Sequence, residues 1–186
     1  MDIILKKNLA NHCRVFENRN FYIMLVYLLF FSALLSGLIA GLFYAYSCSV
    51  NPGLGRLSDR EYLRAMQSIN RAILNPVFFT SFLGTLIVIP ATAVVYWNTN
   101  GFDLSCALLM VSALMYGIGV FGVTIRANVP LNEMLDKLDL SAGAGHFARW
   151  RSEFEQPWNR YHSLRTVLNL ITFILVIAVL LINFKA

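Results

Sequence analysis

The sequence predicts an all-α integral membrane protein, a four-helix bundle with two structured, partly helical loops on one membrane side. Three observations carry this. Charged residues make up only 13% of the chain and apolar residues 58%, with a mean hydropathy of +0.61, whereas a soluble domain carries about 25% charged residues. Four runs contain no Asp, Glu, Lys or Arg, namely residues 20–55, 72–102, 104–125 and 166–184. A spanning helix needs roughly 20 apolar residues. None of the runs alternates apolar with polar residues as barrel strands do, and backbone in lipid must satisfy its own hydrogen bonds, so helices are expected. The expected spans are 21–46, 76–97, 103–125 and 164–184, and the 186 residues suit one domain.

Each element has a local reason. Residues 1–20 read as a polar N-terminal tail, a helix on the membrane surface, followed by a transmembrane domain over 21–186. The first apolar run is twice the length of a signal h-region and reads as a retained anchor. It carries Gly37 and Gly41 at the spacing that lets helices approach. "VNPGLGRL" (Val50 to Leu57) is a turn. Ser58 and Glu61 form a capping box. The amphipathic helix that it opens bends at Asn75-Pro76, because proline pushes the residue before it away from helical geometry. Pro90 is expected to kink the second span. The short link "NTNGFD" makes spans two and three antiparallel neighbours. The third span is expected to end at Arg126, and Pro130 to start a short helix. "SAGAG" (Ser141 to Gly145) is a break, a polar helix follows from His146, and Pro157 interrupts it before the fourth span.

Fifteen Lys and Arg against ten Asp and Glu give a net charge of +5. The two long loops share one side and hold ten of the fifteen cations, which the positive-inside rule places in the cytoplasm. Lys6, Lys7, Arg14 and Arg19 pull the N-terminus to that same compartment, so the two signals oppose one another. The basic excess suits lipid headgroups. No basic–aromatic face lies away from the membrane, which argues against nucleic acid. Cys13, Cys48 and Cys106 show no CxxC spacing and read as unpaired thiols. The G-x-x-x-G pair leaves association into an oligomer open.

Three polar clusters fall at one membrane boundary. Gln67, Asn70, Arg71 and Asn75 enter span two; Arg126, Asn128 and Asn132 leave span three; Trp158, His162, Arg165 and Thr166 enter span four. Trp158, His162 and Arg165 follow i, i+4, i+7 and share a face. Polar side chains in a span generally face a bundle interior or cavity. Each also has an ordinary explanation, since arginines snorkel, tryptophans form interfacial belts and asparagines cap helices. Belts and caps do not require Gln67, Asn70 and Asn132 as well. His12, His146 and His162 show no metal-ligand spacing, and no phosphate loop, nucleophile elbow or dinucleotide fingerprint is present.

Met66-Gln67-x-Ile69-Asn70 with Asn75-Pro76-x-Phe78, then Thr124-x-x-x-Asn128-Val129-Pro130-x-Asn132-x-x-Leu135, then Trp158-x-x-x-His162-x-x-Arg165-Thr166 resembles the anthrone oxygenase-like membrane proteins, a family largely described as a domain of unknown function. The resemblance spans residues 30–184, and the charged tail before the first span departs from it. It implies a multi-pass protein of the bacterial inner (plasma) membrane and, in some members, oxidation of an anthrone to an anthraquinone by molecular oxygen.

Such chemistry needs a base, a cation beside an oxyanion and a slot for flat rings; it needs no metal, and no cofactor is predicted. His162 is the expected base, since an imidazole's ordinary pKa of about 6.5 suits proton transfer. Arg126 or Arg165 is expected to stabilise the anion. Asn70, Asn128 and Asn132 are expected to bind substrate oxygens, Trp158 to stack on the rings, and Gln67, Asn75 and Thr166 to complete the substrate-binding wall. The alternative is a non-catalytic membrane protein that binds a lipid, a quinone or a partner subunit. A transporter fits less well, because inverted repeats and intramembrane carboxylates are missing.

Overall fold

The computed structural model describes the backbone of residues 2–140 and 146–183, with side chains from residue 20 onward. The expected break at Ser141 to Gly145 lies outside the described residues. Seven α-helices follow in order: α1 (Asp2–Ala45), α2 (Asn51–Leu54), α3 (Asp59–Ala72), α4 (Pro76–Asn100), α5 (Leu104–Leu114), α6 (Val129–Asp136) and α7 (Phe147–Asn183). No strand occurs among the described residues. Four rods are long and apolar enough to cross a membrane: Asn20–Leu54, Pro76–Asn100, Leu104–Asp136 and Phe147–Asn183. α1 packs on α4 and α7, and so does the rod that begins with α5, which closes a four-helix ring. α3 and α6 pack on α7 and on each other, so both long connections cap one end, as expected.

The packing is that of a bundle in lipid. Phe30, Ile87, Ile118 and Ile174 point outward, while Ile39, Phe82, Tyr116 and Val120 fill the middle. Lipid tails are as apolar as leucine, so close contact rather than water exclusion must hold the helices together. Ser32 Oγ and Thr92 Oγ1 lie 2.9 Å apart and join α1 to α4. Thr85 and Thr172 donate to carbonyls four residues back, which satisfies their buried hydroxyls within the helix. A Cβ on Gly37 would stand 3.0 Å from Phe173, whereas one on Gly41 would meet nothing, so half of the G-x-x-x-G pair serves this bundle.

Several expected boundaries move, for one physical reason. The third span does not end at Arg126. It continues through π-helical segments Met115–Gly122 and Thr124–Asn128 straight into α6. The first span likewise runs past residue 46 through a π turn, Tyr46–Val50, into α2. Each short π turn ends just before a prolyl segment, Asn51-Pro52 or Val129-Pro130. The N–H before each proline bonds five residues back, Asn51 to Tyr46 O and Val129 to Thr124 O. A widened turn lets the rod absorb a proline that brings no donor.

Pro157 does not interrupt α7, and Pro90 lies inside the continuous α4. A mid-helix proline costs about 3 kcal/mol. The neighbouring Phe154 and Trp158 are buried against α3 and α6, and a large apolar side chain contributes about 1.5–3 kcal/mol on burial, so the two together offset that cost. Arg151 adds a tie: it pairs with Glu155 at 2.6 Å and Asp59 at 3.0 Å, and lies over the Tyr62 ring. The helix also begins at Asp2 without a break between tail and first span. At the α4–α5 link, Gly101 takes φ +83°, a conformation natural to glycine, and Asp103 caps α5 by accepting from Cys106 N at 2.9 Å. Cys48 and Cys106 are free thiols.

The capping box forms. The Glu61 carboxylate accepts from Ser58 N at 3.1 Å and Ser58 Oγ at 2.6 Å, and these bonds hold its pKa below the ordinary 4.5. A group depressed on folding contributes stability above its unfolded pKa and loses it as pH falls through the folded value. Glu61→Gln is therefore expected to unfold at a lower temperature than wild type at pH 7, with the gap shrinking as pH drops below 4.5. Thermal melts of both proteins across that range check this.

Candidate active site

The capped end of the bundle holds a cavity of about 140 Å³. Its wall is mainly aromatic and aliphatic, with Phe78 stacked on Phe82 at 5.0 Å. Leu42, Leu74, Phe79 and Ile125 line it and are also exposed, which gives it an apolar rim within reach of lipid. Trp158, His162 and Arg165 close its inner side. An apolar slot with a few convergent polar groups is the usual form of a small-molecule site.

α7 positions the core of the site. Trp158 and His162, one turn apart, stack with centroids 5.0 Å apart and planes 13° apart. Asn132 Oδ1 accepts the Trp158 indole N–H at 2.8 Å and fixes that ring. Arg165 lies over Phe43 at 4.6 Å and over Trp158 at 5.4 Å. It donates to Thr124 Oγ1 and to His162 Nδ1, both at 3.3 Å. The buried Arg165 Nε has no partner. Among the described residues no Asp or Glu lines the cavity. A buried cation without an anion is costly, and here it faces a void.

These contacts assign the imidazole tautomer. A guanidinium only donates, so Nδ1 must accept and the proton sits on Nε2. Ser47 Oγ lies 3.0 Å from Nε2 and also 3.0 Å from Phe43 O. Its single hydrogen goes to the Phe43 carbonyl, so its oxygen accepts from the ring. Ser47 therefore does not hand a proton to His162 as an activated nucleophile would. It holds the ring with Nδ1 as the lone-pair nitrogen.

The structure separates the sequence candidates into three groups. His162, Arg165, Trp158, Asn70 and Asn132 line the cavity. Gln67, Asn75, Asn128 and Thr166 fasten the scaffold instead. Gln67 donates to Leu135 O and Leu138 O, joining α3 to α6. Asn75 caps α4 at Phe78 N. Asn128 donates to Trp158 O at 3.3 Å, and Thr166 to His162 O at 2.7 Å. Arg126 stands apart: it is exposed and lines a groove on the outer face of the bundle. The π turn explains this, because it turns Thr124 and Asn128 inward and leaves Arg126 between them facing out. Among the described residues no group of three His, Cys, Asp or Glu could hold a metal ion.

Sequence reasoning missed Phe43, Tyr46 and Ser47. Tyr46 packs on both Trp158 and His162, with centroids 5.5 and 5.4 Å away. The one sequence feature that their segment shares with the Thr124 segment is a proline six residues on, Pro52 after Tyr46 and Pro130 after Thr124.

Four membrane-length spans around a basic, aromatic cavity define a multi-pass integral membrane protein with its polar machinery inside the bundle. The family model for anthrone oxygenase matches residues 76–175, just over half of the chain, and the chain belongs to that family. No curated protein and no solved structure matches it. The matched segment supplies Thr124, Asn132, Trp158, His162 and Arg165, while Phe43, Tyr46, Ser47 and Asn70 come from before it.

Proposed function

We propose that the protein is a membrane-embedded oxygenase that oxidises a hydrophobic aromatic or quinone-like substrate with molecular oxygen, an anthrone being the model substrate. One observation carries this reading: a guanidinium–imidazole pair 3.3 Å apart, buried in an aromatic cavity that no acid among the described residues lines. A cavity beside His162 also supports a ligand site over a scaffold whose polar clusters only pair with one another.

The substrate enters from the bilayer past the apolar rim, and its rings lie against Trp158. Its carbonyl oxygen takes N–H groups of Arg165, and this contact frees His162 Nδ1. That nitrogen removes a proton from the CH2 between the aryl rings, leaving an enolate beside the guanidinium. The enolate passes one electron to O2, and radical and superoxide recombine with formation of a C–O bond. The peroxide takes up the proton, loses the remaining hydrogen on that carbon, and its O–O bond breaks with release of water. One anthrone and one O2 give one anthraquinone and one water. Asn70 Nδ2, a buried donor without a partner at the cavity wall, is placed to bind a second substrate oxygen.

The test is oxygen uptake and quinone absorbance with purified protein and anthrone. One O2 per quinone is expected, with the rate dependent on His162 and Arg165. Uptake no faster than with heat-unfolded protein would reject the reading and leave a binding protein for a lipid or quinone.

A further inference from the structure

Arg126 is the residue that the cavity leaves out, and its surroundings suggest a separate role. It stands at one end of a groove of about 670 Å³ on the outer face of the bundle, between the π-helical part of the third rod and α7. Gly117, Ile118, Phe121, Ala127, Tyr161 and Leu164 line the groove with Arg126. No acid lines it. Arg126 ends an uncharged run over residues 104–125, so it stands where hydrocarbon gives way to headgroups. Gly117 lies nine residues inward, at most about 14 Å at the α-helical rise of 1.5 Å per residue, and so within the half of a roughly 30 Å hydrocarbon core nearer to Arg126. The groove is thus apolar along its membrane depth and cationic only at the interface.

We propose that this groove binds an anionic phospholipid, with one acyl chain along Gly117 to Ala127 and the phosphate on Arg126. A basic position between membrane helices is a known way to hold an anionic headgroup. Charge favours that occupant over a zwitterionic lipid, whose ammonium would meet no acid here. The apolar length favours it over a free anion, which would leave the groove empty.

Native mass spectrometry of the detergent-purified protein with equal phosphatidylglycerol and phosphatidylcholine tests this. One retained phosphatidylglycerol is expected, preferred about fivefold, the scale of one arginine near a charged headgroup. Arg126→Gln is expected to erase the preference and Arg126→Lys to keep most of it. Ala127→Phe, which fills the groove but keeps the cation, is expected to lose the lipid. Arg64→Gln removes the same charge outside the groove and is expected to change nothing. Equal retention of both lipids by wild type overturns the proposal, and so does displacement of the lipid by millimolar inorganic phosphate. Formation of a lipid-free dimer through this face also overturns it. If Arg126→Gln does not fold, the wild-type preference and the Ala127→Phe result still decide.

Discussion

Arg165→Met is expected to raise the melting temperature while slowing anthrone oxidation by roughly 10²–10³, the usual effect of removing one group that stabilises a developing oxyanion. The two changes have one cause. Arg165 is only 8% exposed, its Nε has no partner, and no acid among the described residues lines the cavity it faces. Taking such a cation out of water costs several kcal/mol. Its contacts with Phe43 and Trp158 return about 2 kcal/mol, and its bonds to Thr124 and His162, both long at 3.3 Å, return little more. Methionine fills irregular apolar space without that desolvation cost. A net gain of 1 kcal/mol would raise the melting point by about 2–4 °C in a chain of this size. A site kept at the expense of stability is the general pattern for functional groups.

Arg165→Lys separates charge from geometry. The planar fork reaches Thr124 and His162 together, which a point-like ammonium does not reproduce, so Lys is expected to recover only a minor part of the rate. Melting curves in detergent and initial rates of quinone formation measure both effects. A lower melting point with an unchanged rate would make Arg165 a structural residue and would remove the observation on which the proposed function rests.

The fold was legible because lipid imposes a simple rule. Uncharged runs of membrane length must be helices, and four such runs with one short link order the bundle. Local chemistry was legible too: Ser58–Glu61 and Asn75-Pro76 cap as their types require. Prolines were not. Pro52 read as a turn and Pro157 as an interruption, yet the chain stays helical at both, and the short helix expected from Pro130 continues the third rod without a break. Sequence rules treat the missing N–H as a break, whereas a π turn or a pair of buried aromatics absorbs it. The same mechanism decided the site. Period-3.6 reasoning placed Trp158, His162 and Arg165 together, because α7 is regular there. It failed at Arg126 and Ser47, which sit in π turns with a different period.

His162→Phe is the second large effect, with a rate expected to fall by 10²–10⁴, the range for loss of a general base. Phenylalanine keeps the ring between Trp158 and Tyr46, so the packing that those stacks represent is largely preserved. What disappears is the Nδ1 lone pair, together with an acceptor for Arg165 and the donor to Ser47. Ser47→Ala keeps the lone pair and removes the nearer acceptor at Nε2, leaving only the long contact to Thr166 Oγ1 at 3.5 Å. An unsatisfied buried donor costs about 1–3 kcal/mol, and each 1.36 kcal/mol placed on the barrier is tenfold in rate. Ser47→Ala is therefore expected to slow the reaction about tenfold, between wild type and His162→Phe. His162→Ala adds a control, because free imidazole can enter the vacated slot and restore part of the rate, whereas a purely structural role gives no such rescue. A His162→Phe protein that forms quinone at the parent rate would show that proton removal occurs elsewhere. The order wild type, Ser47→Ala, His162→Phe follows from which ring nitrogen carries the proton, and that assignment rests on Arg165 having only donors to offer.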